Sequence, residues 1–239
     1  MNEKSFVRNY FTTLWKALTQ PNSFFRELPV TGGITGPLAF ALVTHWIGAT
    51  ASYLWTHLLG QWTHAYYSAF SKIIGDVAHL NEGTSNVEWS EMINFKDQFF
   101  QWFWGTGSII ADPFYTLFTV IFISFFVFLG AQIFVLWLGP SRPPVEGEQT
   151  VSVTFESTVR LVCYGMAPMI LTGIPLFGWG LATFLSFVIT VIGAKEMYRV
   201  GVFRAMVIAL FPRLVLFTLI AGTLLFIAAL LIKVVLSVF

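Results

Sequence analysis

His57, Gln61 and His64 fall at i, i+4 and i+7, so on a helix they share one face, and Asp76 and His79 follow within two turns of each other. Zinc takes imidazole and carboxylate ligands, which makes this the most metal-like grouping in the chain. It lacks the close HxH or HExxH spacing of a zinc site, and polar tips at a membrane interface account for it, so no metal is expected. His45 stands inside an apolar run; a hydrogen bond to a neighbouring helix is the reading, with a proton relay as the sharper alternative. Cys163 has one cation nearby, Arg160 one turn back, and reads as a buried, inert thiol. As the single cysteine it excludes an intrachain disulfide. There is no GxSxG, P-loop, CxxC or HExxH sequence, so no catalytic residue and no cofactor is assigned and the chain reads as non-enzymatic. The residues left as candidate binding or structural groups are Arg160, Tyr164, Pro168, Glu196 and Arg213.

The elements that position these groups follow from composition. Of 239 residues 56% are hydrophobic and only 10% are charged, against roughly 25% charged in a soluble domain. The membrane is therefore the expected solvent. A net charge of +1 offers no field to attract nucleic acid. The first twenty residues, "MNEKSFVRNYFTTLWKALTQ", alternate charge and aromatics and contain no apolar core for a cleavable signal.

About 20 apolar residues cross a bilayer core, and five segments qualify: 37–59, 113–138, 157–175, 179–197 and 212–237. In the second, Asp112 is expected as helix N-cap, Pro113 as first helical residue, and Gly139-Pro140 as the stop. Pro212 is expected to separate an interfacial helix at 202–211 from the last span. Arg213 and Lys233 then lie twenty residues apart, about 30 Å of helix, so each can snorkel to one face. A pore-lining Arg213 is the alternative. In the third span Gly165, Pro168 and Gly173 point to close helix packing, or else to a bent helix lining a path.

With the N-terminus inside, ten of the thirteen lysines and arginines fall on the inner side and only Lys72, Lys96 and Lys233 outside. The positive-inside rule thus predicts N-in, C-out, with 60–112 as an outer insert. Residues 4–19 divide into an apolar face (Phe6, Val7, Tyr10, Phe11, Leu14, Leu18) and a polar one (Lys4, Arg8, Thr12, Lys16, Thr19). Segment 61–80 divides likewise, and 91–104 carries an aromatic side. These read as interfacial amphipathic helices, with bundle packing or an aromatic belt preferred over peptide or lipid recognition for 91–104. The breaker-rich stretch "PNSFFRELPVTGGITGPLAFAL" at 21–42 is the joint between the N-terminal helix and the first span: Pro21 ends one helix, Asn22 or Ser23 caps a turn bearing Phe24 and Phe25, and Pro37 starts the next. Residues 1–30 form the interfacial helix and joint, and 31–239 the five-helix membrane domain.

The stretch "LTQPNSFFRELPVTGGITGPLAFAL", together with "FESTVRLVCYGMAPMILTGIPLFGWG" and "VITVIGAKEMYRVGVFRAMVIALFP", resembles bacterial membrane proteins of the Yip domain family. The family's pattern falls on Thr158, Arg160, Tyr164, Pro168, Ile174-Pro175, Gly193, Lys195 and Glu196, and the resemblance covers 4–42 and 113–213. It implies five spans and a bacterial inner-membrane location. Eukaryotic members bind Rab GTPases through a long cytosolic N-terminal tail; here the N-terminus is about thirty residues and mostly interfacial, so a Rab-type partner is not expected.

The expected role is a membrane organiser or adaptor whose partners are lipids and other membrane proteins, copies of itself included. A transporter or lipid-handling protein using polar groups of the third and fifth spans is the alternative. Centring the "IPLFGWG" hairpin on Phe177 sets residue 160 opposite 194, which predicts an Arg160–Glu196 ion pair with Tyr164 donating to the same carboxylate.

Overall fold

The computed structural model describes residues 3–29, 32–58, 106–136, 139 and 153–238. Every regular element among them is helical: α1 Glu3–Thr19, α2 Pro21–Glu27, α3 Thr35–Leu58, α4 Thr106–Leu136, α5 Phe155–Gly165, a 3-10 helix Ala167–Gly173, α6 Gly178–Met197 and α7 Val202–Val238. Three stretches are long and apolar enough to cross a bilayer: Ile109–Val135 in α4, the whole of α6, and Val202–Phe226 in α7. The chain is a helical membrane protein.

Three of the expected boundaries differ, each for a local reason, and a further segment is helical as expected without counting among those three stretches. The segment 37–59 does form a helix, α3, of 24 residues; Thr44, His45, Thr50 and Ser52 dilute its apolar run, and it is not among those three. Helix α4 begins at Thr106 and carries Pro113 inside it, so Asp112 is not an N-cap; its carboxylate takes His45 instead. The segment 157–175 is broken: α5 ends after 11 residues, and Pro168 sits in the first turn of the 3-10 helix that follows. A proline ring clashes with the carbonyl four residues back and supplies no N–H, which favours this change of helix type. Pro212, in contrast, lies inside the unbroken 37-residue α7, so 202–211 is not a separate helix. One proline removes one rung of a helical ladder, and the flanking apolar sequence continues on both sides.

The residues fall into two compact units, and α3, α4 and α6 each contribute to both. The first comprises Met1–Leu38, Thr119–Gly165 and Phe187–Phe239. Within it α1 packs on α2 and α5 through Tyr10, Leu14 and Ala17, all buried. Part of the stripe expected to lie on the membrane therefore faces the protein, while Phe11 and Trp15 on another side of the helix stay exposed. Phe25 of α2 is buried too, against Gly193 of α6. Helix α5 opens with a reciprocal cap in which the Ser157 amide donates to Thr154 Oγ1 and the Thr154 amide to Ser157 Oγ, both at 3.1 Å. It then packs closely on α6: a Cβ on Gly193 would overlap Leu161, and one on Gly165 would stand 2.5 Å from Thr190 Oγ1. Glycine here permits the approach of the two helices, in the register expected from a hairpin centred on Phe177. Helices α4 and α7 meet at Gly130 and Phe211.

The second unit comprises Ala39–Phe118 and Met166–Ser186. Gly48 of α3 lies so close to the Met169 carbonyl and the Thr172 hydroxyl that a Cβ would overlap both. Phe40, Ala41, Thr44, Thr116, Ala167 and Ala182 are buried there. The amphipathic segments 61–80 and 91–104 lie outside the described residues, as do the side chains of His57, Gln61, His64, Asp76 and His79.

Candidate functional site

In the first unit, three of the residues singled out from sequence converge on one short segment, α2 and the joint after it. Arg160 projects from α5, almost wholly buried at 4% exposure. Its Nη1 donates to the Pro29 carbonyl at 2.6 Å and its Nη2 to the Gly33 carbonyl at 2.7 Å. Nη2 also reaches Glu156 Oε1 at 3.2 Å, one turn back on the same helix. That carboxylate oxygen in turn accepts the Gly33 amide at 2.7 Å. One guanidinium and one carboxylate thus hold donor and acceptor of the same glycine.

The joint's glycines are what make this possible. Gly32 has φ +128° and Gly33 φ +85°, a region L side chains rarely enter. A Cβ on Gly32 would stand 2.9 Å from Arg160 Nη2, so the backbone comes close to the guanidinium only because that atom is missing.

Tyr164, one turn on from Arg160, sets its ring edge-on against Phe24 of α2, centroids 5.1 Å apart. Glu196, whose side chain is 5% exposed, accepts Arg26 of α2 at 2.9 Å on one oxygen and Lys195 at 2.9 Å on the other. The expected Arg160–Glu196 pair is therefore not the one formed. The hairpin register brings the two residues to similar depth, but α2 and its joint lie against these helices and present nearer partners: backbone carbonyls for Arg160 and Arg26 for Glu196. Beside this cluster Tyr198 is fully buried and shares a 2.8 Å hydrogen bond with Thr158. Burial pushes its phenol up to about 12, against the pull of hydrogen bonds from Thr158 and Ser157.

The other two candidates make none of these contacts, and Pro168 belongs to the second unit. Pro168 is buried at the start of the 3-10 helix. Arg213 sits within the apolar stretch of α7 rather than at a helix start, its guanidinium 5.2 Å above the Phe187 ring, a contact that offsets part of the cost of a charge among apolar groups.

The second unit holds a separate polar pair. His45 Nδ1 of α3 lies 2.9 and 3.0 Å from the two Asp112 oxygens of α4, and Tyr115 flanks the imidazole. The helix-to-helix hydrogen bond expected of His45 is formed, with Asp112 as the partner. Thr116, one turn from Asp112 on α4, is buried with a hydroxyl that meets no protein partner.

Sequence reasoning missed Arg26, Glu156 and the joint's backbone. Glu156 carried a readable signal, an acid four residues before an arginine on one helix. The carbonyls of Pro29 and Gly33 carried none, because every residue has one. Among the described residues no three His, Cys, Asp or Glu side chains gather as a metal site would require. A search of family models finds none that matches this chain, and neither a curated protein nor a solved structure matches it.

Proposed function

We propose that the chain is a five-span membrane protein of Yip-like organisation, resident in a bacterial inner membrane with its N-terminus inside, that organises membrane or tethers partners rather than catalysing a reaction, and that associates with copies of itself. The observation that carries this reading is the use made of the charges: buried Arg160 and Glu196, with the more exposed Glu156 and Arg26, all hold α2 and the joint to the helices. A transport path or a catalytic centre keeps such groups facing its substrate. Self-association is supported by α7, which beyond Pro212 exposes Leu214, Phe217, Leu219, Ile220 and Leu225, residues spread around the helix.

The test is co-purification of two differently tagged copies from one membrane, with single-molecule bleaching steps in nanodiscs. A Cβ on Gly222 would meet nothing within 4 Å, so Gly222→Leu should leave the protomer folded and weaken the association. Exclusively single-step bleaching, with no co-purification, refutes the reading.

The His45–Asp112 pair favours a second reading, proton-coupled handling of a solute, because ionisable pairs inside spans commonly serve proton movement. Solute or proton flux into liposomes that Asp112→Asn abolishes would establish it in place of the first.

A further inference from the structure

In a chain with so few polar residues, one concavity gathers many. A groove of about 460 Å³ runs in the corner between α1 and α2, and seven of its ten lining residues are polar. That lining suits a small polar group better than an acyl chain or a packed apolar helix. Lys16 lines it from α1 and Glu27 from α2. Both are exposed, and among the described residues no hydrogen bond or ion pair engages either side chain. Two opposite charges that share one groove and stand beyond ion-pair distance leave room for a ligand carrying both complementary charges. Asn9 and Gln20 add amide donors to the same walls, which together with the Lys16 ammonium suit a phosphate. Glu27 offers only acceptors and suits a primary ammonium, which has three donors to give. The exposed Phe11 and Trp15 of α1 are side chains of the kind that settle at the level of lipid headgroups.

We infer that this groove binds the phosphoethanolamine headgroup of a membrane lipid, the phosphate on Lys16 and the ammonium on Glu27. The inference rests on the chain's residence in a membrane and is independent of the organiser reading.

The experiment titrates purified full-length protein in a neutral detergent with short-chain phosphatidylethanolamine, phosphatidylglycerol and phosphatidylcholine, and with water-soluble glycerophosphoethanolamine, by isothermal titration calorimetry. Phosphatidylethanolamine should bind at least about tenfold more tightly than the other two lipids, a difference of about 1.4 kcal/mol. Phosphatidylglycerol has no cation for Glu27, and a quaternary choline has no N–H to donate. Lys16→Gln and Glu27→Gln should each lose about tenfold, and the charge exchange K16E/E27K should recover binding, since the groove then offers the same two charges on opposite walls. Because both side chains are exposed, these variants should fold as the parent does. Equal affinities for the three lipids, tighter binding of phosphatidylglycerol, or a K16Q/E27Q protein that keeps its preference overturns the inference. Glycerophosphoethanolamine binding as tightly as the lipid overturns the membrane source.

Discussion

Removing the Arg160 guanidinium while keeping its stem isolates what holds the joint. Arg160→Met retains most of the buried methylene length and deletes the donors to Pro29, Gly33 and Glu156. The Glu156 contact contributes little: the carboxylate is 35% exposed and the distance 3.2 Å, so solvent screening leaves at most about 0.5 kcal/mol. The two carbonyl bonds are short and charge-assisted, each worth about 1.5–3 kcal/mol. Pro29 and Gly33 are exposed residues, so water can rewet their carbonyls and the lower end applies. The expected loss is about 3 kcal/mol. Arg160→Lys, which keeps the charge and lacks the planar fork that spans both carbonyls, should lose about half of that.

Gly32→Ala attacks the same contact from the other side, through positive φ and the 2.9 Å approach to Nη2, and should cost about 1–3 kcal/mol. Since both changes disrupt one contact, the double variant should lose less than the two together. Equilibrium unfolding in mild detergent gives the energies. Hydrogen exchange at the Gly33 amide, which donates to Glu156, gives a local readout: it should speed up in Arg160→Met. A loss below about 0.5 kcal/mol, with exchange at Gly33 unchanged, would refute the claim that Arg160 fixes the joint.

The remaining expectations use similar measurements. Glu196→Ala should cost about 2–3 kcal/mol by leaving Lys195 without its carboxylate in a partly buried site, whereas Arg26→Gln, at a 62% exposed side chain, should cost at most about 1 kcal/mol; equal losses would contradict the assigned geometry. Tyr198→Phe should cost about 1 kcal/mol through the lost Thr158 hydrogen bond. Because folding raises this phenol from its ordinary 10.0 to about 12, the stability it contributes is complete below pH 10 and is lost as pH rises through 12; an alkaline unfolding curve no different in Tyr198→Phe would speak against it. For the proposed topology, a cysteine at Ser237 in a Cys163→Ala background should react with an impermeant thiol reagent in intact spheroplasts, and labelling only after lysis would reverse the assignment.

How much was legible depended on whether the signal lay in side chains or in backbone. The helical membrane character was legible because apolar composition and run length set it directly: α4, α6 and α7 occupy three of the five segments read from hydropathy. Boundaries at proline were legible at Pro21, where α1 gives way to α2, and not within the long apolar runs. Pro113, Pro168 and Pro212 are the same residue type in similar apolar surroundings, yet only Pro168 coincides with a change of helix. What distinguishes it is a neighbourhood of glycines, Gly165 and Gly173, whose missing Cβ atoms let the Thr190 and Ala51 side chains come near. The sequence displays these glycines without displaying what approaches them.

The same distinction explains the site. Arg160, Tyr164 and Glu196 were identifiable because polar groups in apolar helices need partners. The partners were misassigned because the stretch 21–42 was read only as a connection between the N-terminal helix and the first span, which any freely rotating linker could make. A hinge needs only freedom of rotation, and two consecutive glycines would provide it. Here the glycines do the reverse: with positive φ at Gly32 and Gly33, the Gly33 amide and carbonyl face a buried arginine and its carboxylate, and the arginine also holds the Pro29 carbonyl. Conformational freedom in the unfolded chain becomes a fixed geometry in the folded one, which costs entropy at Gly32 and Gly33 and is offset by charge-assisted bonds from a buried guanidinium. The consequence is mechanical. Helix α2, tied at Arg26 to Glu196 and followed by the joint tied to Arg160, is fastened to both α5 and α6. Helix α1, one residue upstream of α2, packs on α2 and on α5 as well.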